Sequence, residues 1–368
     1  MQITFLIGNG FDIALGIKSS YAQFYDWYCN ETSIIKHVNE FRKNIKDDIT
    51  RNVPDDQKVW ADFELGIGKY SDRFSVADAE KFLDCIDDAQ ENIVKYLKAQ
   101  QELFDLDDYT EESFKSFRES IKSFFEEVSD GETNGINKSL NEVPNESRII
   151  KFITFNYTYT LEDILKKFSD NILATWKNNY NTTFSWKYDS NIIHVHGTLD
   201  RFPVLGIDNE EQILNKELLS TPQLKELMIK SENIKALGEL WYEQAEKTIT
   251  DSRFICVLGM SLGESDARWW RFIVDWLKKS SSKHIIIYWF EKNPPNNIST
   301  RRQLLCMNKV KELLLSYSNL SEQEQENLKS RIHVVINTKK FLKLEKKEKE
   351  IAFVKKEKDA IAPVLAKK

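Results

Sequence analysis

Residues 3–12 read ITFLIGNGFD, an apolar run that passes directly into a glycine-rich turn and then into an apparent helix. The apolar run has the length of a buried strand. Glycines at such a turn let the backbone come close to a ligand, and the unpaired N–H groups at the start of the next helix offer hydrogen bonds to an anion. The stretch predicts a strand, a turn and a helix of an α/β fold, with a candidate nucleotide-phosphate site at the turn.

The glycine turn departs from two familiar phosphate-binding signatures. Ile13 occupies the position of the third glycine in G-x-G-x-x-G, and the chain contains no Gly-Lys-Ser/Thr, which excludes a Walker-type phosphate loop. Taken alone, the turn leaves two interpretations open, a nucleotide site or an ordinary connection from strand to helix.

Five further apolar runs, rich in β-branched and aromatic residues, predict five more strands. Several of them are apolar almost throughout, which is typical of a parallel sheet that is covered on both faces. Together with the first run they predict a doubly wound, mostly parallel, Rossmann-like sheet, whose ligands bind beyond the carboxyl ends of the strands. The five runs are 149–155, 192–195, 254–258, 284–290 and 332–336.

The region between the first two strands is charged and poor in strand-forming runs. Apolar side chains recur at helical spacing within it, with acidic and basic residues on the other sides, so we predict a helical insertion lobe at about residues 50–147. A second helical block is expected from about residue 210 to 250. We expect residues 1–340 to form one α/β domain and residues 341–368 to form a Lys/Glu-rich C-terminal tail.

The charge is distributed unevenly along the 368 residues, whose net charge is −6. From Lys339 onward there are eleven lysines against five acidic residues, so the rest of the chain is strongly acidic and lacks the basic surface of a nucleic-acid-binding protein. The first apolar run has no cationic segment before it and is too short to cross a membrane. We therefore expect a cytoplasmic protein without a nucleic-acid or membrane partner. The four cysteines are scattered and predict reduced thiols rather than a metal site.

Polar residues follow the second predicted strand in residues 153–158, which read ITFNYT. The amide of Asn156 can donate and accept hydrogen bonds, so it can hold a ribose hydroxyl or a water molecule. Capping of the following helix is the alternative role for this residue. If the strand end opens into a cleft, the whole cluster lies where a ligand binds.

Two histidines lie at the end of the third predicted strand, in residues 192–199, which read IIHVHGTL. His196, beside Gly197, is a candidate general base, because imidazole titrates near neutral pH. We expect His194 to be a hydrogen-bonded structural residue. The two rings face the same side if the strand continues through them, but the motif offers no third metal ligand, so no metal is predicted.

The fourth predicted strand also ends in small and polar residues. Residues 256–266 read CVLGMSLGESD, and Gly259 and Ser261 can approach a phosphate or a ribose closely. We expect Asp266 to cap the helix that follows. All of these motifs share one location, the carboxyl ends of four strands.

These motifs, in this order, make the chain resemble the AbiH family of bacterial abortive-infection proteins. The glycine turn, the Asn-Tyr pair, His-Gly and Gly-x-Ser-Leu are also distantly similar to the sirtuin-type NAD-binding fold. The matching segments are 7–12 with Gly16 and Tyr21, 60–64, 154–158, 194–197, 205–208, and 259–262 with Asp266.

The resemblance implies an anti-phage effector that cleaves the nicotinamide–ribose bond of NAD. In that case Asn156 would hold the ribose or the attacking water, and His196 would accept the proton. Gly8, Asn9 and Gly10 would cradle the pyrophosphate. The other NAD contacts would come from Phe11, Asp12, Tyr157, Gly197, Gly259, Ser261, Leu262 and Asp266. The expected partners are NAD or a related nucleotide, a phage-derived trigger and a second copy of the chain.

Three alternatives stay open at this point. Asp12 would repel a phosphate unless it caps the helix or binds ribose hydroxyls. Asp62 and Glu64 either bring a carboxylate into the cleft, or they accompany Trp60 as an aromatic anchor for the helical lobe. The protein as a whole is either a hydrolase or a module that senses a nucleotide without cleaving it, whereas a nuclease is disfavoured by the missing metal motif and basic groove.

Overall fold

The computed structural model describes residues 1–50, 62–295 and 299–347, which form an α/β fold with one eight-stranded sheet and about half of the chain in helices. The strands are β1 (Gln2–Ile7), β2 (Arg148–Thr154), β3 (Ile172–Lys177), β4 (Thr183–Tyr188), β5 (Ile193–His194), β6 (Ser252–Leu258), β7 (His284–Trp289) and β8 (Ile332–Ile336).

The helices fall into a long series between β1 and β2 and shorter groups between the later strands. The first series comprises α1 (Gly10–Ala14), α2 (Tyr21–Tyr28), α3 (Lys36–Thr50), α4 (Phe63–Tyr70), α5 (Ala79–Glu102), α6 (Glu111–Lys122) and α7 (Asp130–Asn141). The later ones are α8 (Thr160–Leu165), α9 (Pro222–Met228), α10 (Lys230–Ala236), α11 (Trp241–Asp251), α12 (Ala267–Lys278), α13 (Thr300–Leu315) and α14 (Glu322–Lys329).

The sheet has the strand order β3-β4-β2-β1-β6-β7-β8, and the short β5 pairs with β2. All pairings are parallel except that of β3 with β4. All six predicted strands are confirmed, whereas the β3–β4 hairpin at the edge of the sheet was not predicted. The chain leaves β1 for β2 on one side and later returns to β6 on the other side. This reversal of strand order opens a crevice at the carboxyl ends of β1 and β6.

Helices cover both faces of the sheet. Along β1, Phe5 belongs to a core shared with α6, α7 and α8, and the next residue, Leu6, belongs to a core shared with α11, α12 and α13. Because both faces of the strand are buried, polar residues have no exposed side to occupy, which explains the continuous apolar runs of the sequence.

The helical region between β1 and β2 divides between two cores. Helices α2 to α5 pack on one another and on residues 199–229 around their own apolar core, and we call this part the helical lobe. Helices α6 and α7, which fall within the predicted insertion, pack instead against the sheet. The insertion predicted at residues 50–147 therefore contributes to both the core of the helical lobe and the core of the sheet.

The start of the predicted C-terminal tail belongs to the body of the protein. Phe341 and Leu342 are buried in the core of the sheet, and Lys346 pairs with Tyr109 in an isolated β-bridge. The rest of the tail, residues 348–368, lies outside the described residues. Within the described ranges, no helix has both the length and the apolar character needed to cross a membrane.

Candidate functional site

A cleft of about 370 Å³ opens at the carboxyl ends of β1, β2, β5 and β6. Four strand ends thus supply its floor, as the sequence predicts, and the helical lobe supplies one wall. The residues that line it include Gly8, Asn9, Gly10, Asp12, Tyr21, Asp62, Glu64, Asn156, Tyr157, Thr158, His196, Gly259, Ser261, Leu262, Ser265 and Asp266.

The glycines of the first turn allow two strand-end turns to touch. The N–H of Gly8 donates to the Leu258 carbonyl at 2.9 Å, and the N–H of Gly10 donates to the Gly259 carbonyl at 2.8 Å. A Cβ on Gly10 would lie 2.7 Å from the Cα of Gly259, which itself has a φ of +72°. Two N–H groups of the phosphate cradle predicted at Gly8, Asn9 and Gly10 are thus engaged with the β6 loop. The Asn9 side chain donates to the Ser19 carbonyl at 2.8 Å.

Asp12 faces the cleft as a buried carboxyl group. It is 1% exposed, and its Oδ2 accepts a hydrogen bond of 2.5 Å from the hydroxyl of Thr158. Its Oδ1 has no hydrogen-bond partner among the described residues. Burial raises the pKa of Asp12 to about 6, although the hydrogen bond from Thr158 opposes the shift. The capping alternative for this residue is not realised, because the N-cap of α1 is Asn9.

The raised pKa of Asp12 predicts a pH-dependent gain in stability for Asp12→Asn. The folded-state pKa of about 6 exceeds the ordinary value of 3.8, so ionisation of this buried carboxyl destabilises the fold. The carboxyl is protonated and least destabilising below about pH 4, and stability is lost as the pH rises through 6. The variant should raise the free energy of unfolding by up to about 3 kcal/mol at pH 7.5 and change it little at pH 4. Urea unfolding at both values measures this, with the surface variant Asp251→Asn as control. Equal effects at both values would contradict it.

Asn156 is fixed by the first turn and leaves one acceptor free. Its Nδ2 donates to the Gly8 carbonyl at 3.2 Å, and its Oδ1 is buried without a hydrogen-bond donor in the described part of the chain. The capping alternative for Asn156 is wrong, because the N-cap residue of α8 is Tyr159. Asn156 therefore points an unsatisfied acceptor at the cleft.

The two histidines separate because β5 ends at His194. His194 is hydrogen-bonded, as predicted: its Nδ1 lies 2.9 Å from the Asn156 carbonyl and its Nε2 lies 2.5 Å from Glu162 Oε1. His196 turns into the cleft instead, with its Nε2 3.3 Å from Asp266 Oδ1. Burial lowers the pKa of His196, and the charge of Lys230 lowers it further, so the ring is neutral near pH 7.

Asp266 stands at the N-cap position of α12, but its side chain makes no capping hydrogen bond, so the predicted capping role is wrong. Its Oδ1 instead accepts a hydrogen bond of 3.0 Å from Lys230 Nζ. Lys230 is 2% exposed and also donates to Glu64 Oε2 at 2.8 Å and to the Ser265 carbonyl at 3.0 Å. Lys230, which organises this side of the site, was not predicted from the sequence.

The group formed by Glu64, Lys230 and Asp266 contains two carboxyls for one ammonium. Burial raises the pKa of Glu64 to about 8, although Lys230 opposes the shift. For Asp266 the balance is reversed: burial would raise its pKa, but the charge of Lys230 and the hydrogen bonds from its neighbours prevail and hold the pKa well below its usual range. At neutral pH Asp266 is therefore the ionised partner of Lys230, and Glu64 holds a proton.

Asp62 joins the helical lobe to the β6 loop. As the N-cap of α4, its Oδ1 accepts from the backbone N–H groups of Glu64 at 3.1 Å and Leu65 at 3.2 Å. Its Oδ2 accepts a hydrogen bond of 2.7 Å from the Ser265 hydroxyl. Asp62 and Glu64 thus bring carboxyl groups into the cleft wall, whereas Trp60 lies outside the described residues.

Of the other residues predicted to contact NAD, some line the cleft and others lie away from it. The ring of Phe11 is buried in the core beside Phe117, away from the cleft wall. Gly197 has a φ of +74° and packs against the Phe202 carbonyl rather than lining the cleft. Tyr157 lines the cleft, but its hydroxyl donates to the Val204 carbonyl at 2.8 Å. Ser261 and Leu262 lie on the loop that borders the cleft, where Leu262 has a left-handed φ of +54°.

Comparison with known protein families gave a match that covers most of the chain. A family model described as "Bacteriophage abortive infection AbiH" matches residues 4–288, which is more than half of the chain. The matched range runs from β1 into β7 and includes every strand end that lines the cleft. A search of curated proteins gave no match.

Proposed function

The chain belongs to the AbiH family of bacteriophage abortive infection proteins, and we propose that it is an NAD⁺ glycohydrolase whose activity depletes the host cofactor during infection. The anti-phage role follows from the family. The hydrolase activity is our proposal, and it draws on the similarity of the glycine turn and of the motifs around Asn156 and His196 to the sirtuin-type NAD-binding fold.

One observation carries the proposal: two buried acceptor atoms face the same cleft without hydrogen-bond partners among the described residues. They are Asp12 Oδ1, just after β1, and Asn156 Oδ1, just after β2, and the ring of His196 lines the cleft with them. A buried acceptor without a donor costs about 1–3 kcal/mol, so such atoms are retained where a ligand supplies the donors. The two hydroxyls of a ribose and a water molecule provide donors of this kind.

In the proposed reaction, a water oxygen bonds to C1′ of the nicotinamide-bearing ribose as the bond from C1′ to the pyridinium nitrogen breaks. The bonding electrons go to that nitrogen, so nicotinamide leaves as a neutral molecule. The water proton passes to the imidazole ring of His196, and the resulting imidazolium lies next to the Asp266 carboxylate. Asn156 Oδ1 orients the water or a ribose hydroxyl, and Asp12 stabilises the positive charge that develops on the ribose.

Incubation of the purified chain with NAD⁺, with and without phage lysate, tests the proposal by following nicotinamide and ADP-ribose. We expect both products in equal amounts, and we expect Asn156→Ala to lose nicotinamide release while it stays folded by circular dichroism. A folded wild-type protein that binds no adenine nucleotide at any accessible concentration would refute the hydrolase.

A non-catalytic sensor is the second candidate, and the contacts of Asp62 favour it. This residue caps α4 of the helical lobe and also accepts a hydrogen bond from Ser265 at the cleft. A ligand that moves the β6 loop would therefore displace the start of a lobe helix, and a partner could detect that change. NAD⁺ that binds and is recovered intact, with and without lysate, would support the sensor over the hydrolase.

A further inference from the structure

The wall of the cleft that the helical lobe and the β6 loop form together is rich in carboxyl groups. We call Asp62, Glu64 and Asp266 the acidic wall; all three line the cleft. The ammonium of Lys230 bonds two of them, Glu64 at 2.8 Å and Asp266 at 3.0 Å. Because one ammonium faces several carboxyls, the wall has an excess of negative charge whenever Glu64 is ionised.

A second observation indicates that this wall faces a ligand. Across the same cleft, Asp12 is 1% exposed and Asn156 is 7% exposed, and each holds an oxygen atom without a hydrogen-bond partner within the described ranges. Unsatisfied buried acceptors of this kind point to a bound molecule that supplies donors. The acidic wall is therefore one side of a ligand site rather than an isolated surface cluster.

We propose that the acidic wall binds the positively charged part of the ligand, so that the cleft selects an oxidised, cationic pyridinium ring over a neutral ring of the same shape. The choice of a pyridinium rests on the proposed function. The charge preference itself follows from the arrangement of the carboxyls, whether or not the bound molecule is cleaved.

The physical basis is an exchange of a proton for a cation. In an empty wall a proton on Glu64 reduces the excess negative charge, since burial raises the pKa of this group to about 8. A cation in the cleft replaces that proton, and a charge–charge attraction across several ångströms of partly screened protein favours it about tenfold or more. Cation affinity should therefore increase as the pH rises through 8. The charged and titratable groups around Glu64 and its partner are Asp62, Tyr21, Tyr157, His196, Lys230, Tyr242 and Asp266.

A pair of small probes tests the preference without relying on hydrolysis. The 1-methylnicotinamide cation and neutral nicotinamide have almost the same shape, and their dissociation constants for the full chain can be measured by ligand-observed NMR at pH 7 and pH 9. At pH 9 we expect the cation to bind about tenfold more tightly than nicotinamide. The affinity for the cation should increase about threefold or more from pH 7 to pH 9, and the affinity for nicotinamide should not depend on pH.

Variants connect the preference to the wall. Glu64→Gln keeps the shape of the side chain and should remove both the pH dependence and most of the preference for the cation. Asp62→Asn can still cap α4 and should weaken that preference. Asp170→Asn, at a surface ion pair with Arg118, serves as the matched control and should change neither. Equal affinity for the two probes, or no binding of either, would overturn the proposal. Selective cation binding without nicotinamide release from NAD⁺ would uphold this inference and reject the hydrolase.

Discussion

Replacement of His196 by alanine is expected to lower nicotinamide release by about 10²–10⁴-fold, the usual contribution of a positioned general base. The ring is 4% exposed, and burial and Lys230 keep its pKa below the ordinary value, so it is neutral and able to accept a proton near pH 7. The loss should appear in kcat, while the Kd of NAD⁺ measured by calorimetry stays close to that of the wild type, because the proposed role of the ring is to take a proton rather than to hold the nucleotide.

Two companion variants separate proton transfer from packing. His196→Gln keeps a polar acceptor of similar size but cannot take a proton, so we expect it to be as inactive as His196→Ala. His37→Ala removes a histidine that pairs with Asp84 outside the cleft, and we expect unchanged release. If folded His196→Ala released nicotinamide at the wild-type rate, the base would have to be another group of the cleft.

The sequence predicts the centre of the sheet well and its edge poorly. Several of the six predicted strands are apolar almost throughout, because helices cover both faces of the sheet. The β3–β4 hairpin is half-exposed, and its signal is an alternation in which Phe184, Trp186 and Tyr188 are separated by Ser185 and Lys187. Alternation of this kind is typical of a strand with one buried face. The sequence therefore did indicate this strand, but by alternation and not by the apolar runs that identified the other strands.

Some site residues could be predicted from local sequence patterns, whereas others depend on contacts between distant parts of the chain. Asn156 and His196 could be found because each follows a strand, and the carboxyl ends of parallel strands meet at one edge of the sheet. Lys230 could not be found, since its partners Glu64 and Asp266 lie 166 and 36 residues away and no local pattern marks the contact. The capping prediction for Asp266 failed for the same reason, because a distant ammonium binds its carboxylate more favourably than the helix end does.

Replacement of Lys230 by methionine should cost about 3–5 kcal/mol of the free energy of unfolding at pH 7.5, since it leaves the Asp266 carboxylate buried without its cation. Lys230 donates all three of its hydrogen bonds inside the protein and is almost completely buried, so water cannot replace it. Urea unfolding measures the change. The pKa of His196, followed by NMR, should also rise in this variant, because the charge of Lys230 lowers it in the wild type.

A combined variant distinguishes lost charge pairing from lost packing. When Glu64→Gln and Asp266→Asn are added to Lys230→Met, no unpaired charge remains, and much of the lost stability should return, because removing every charge of a buried group is far less costly than removing one. Lys98→Met, which breaks an exposed pair with Asp200, should leave the unfolding midpoint close to that of the wild type. If the combined variant were no more stable than Lys230→Met, the loss would come from the packing of the lysine stem, and the carboxyls would not depend on its charge.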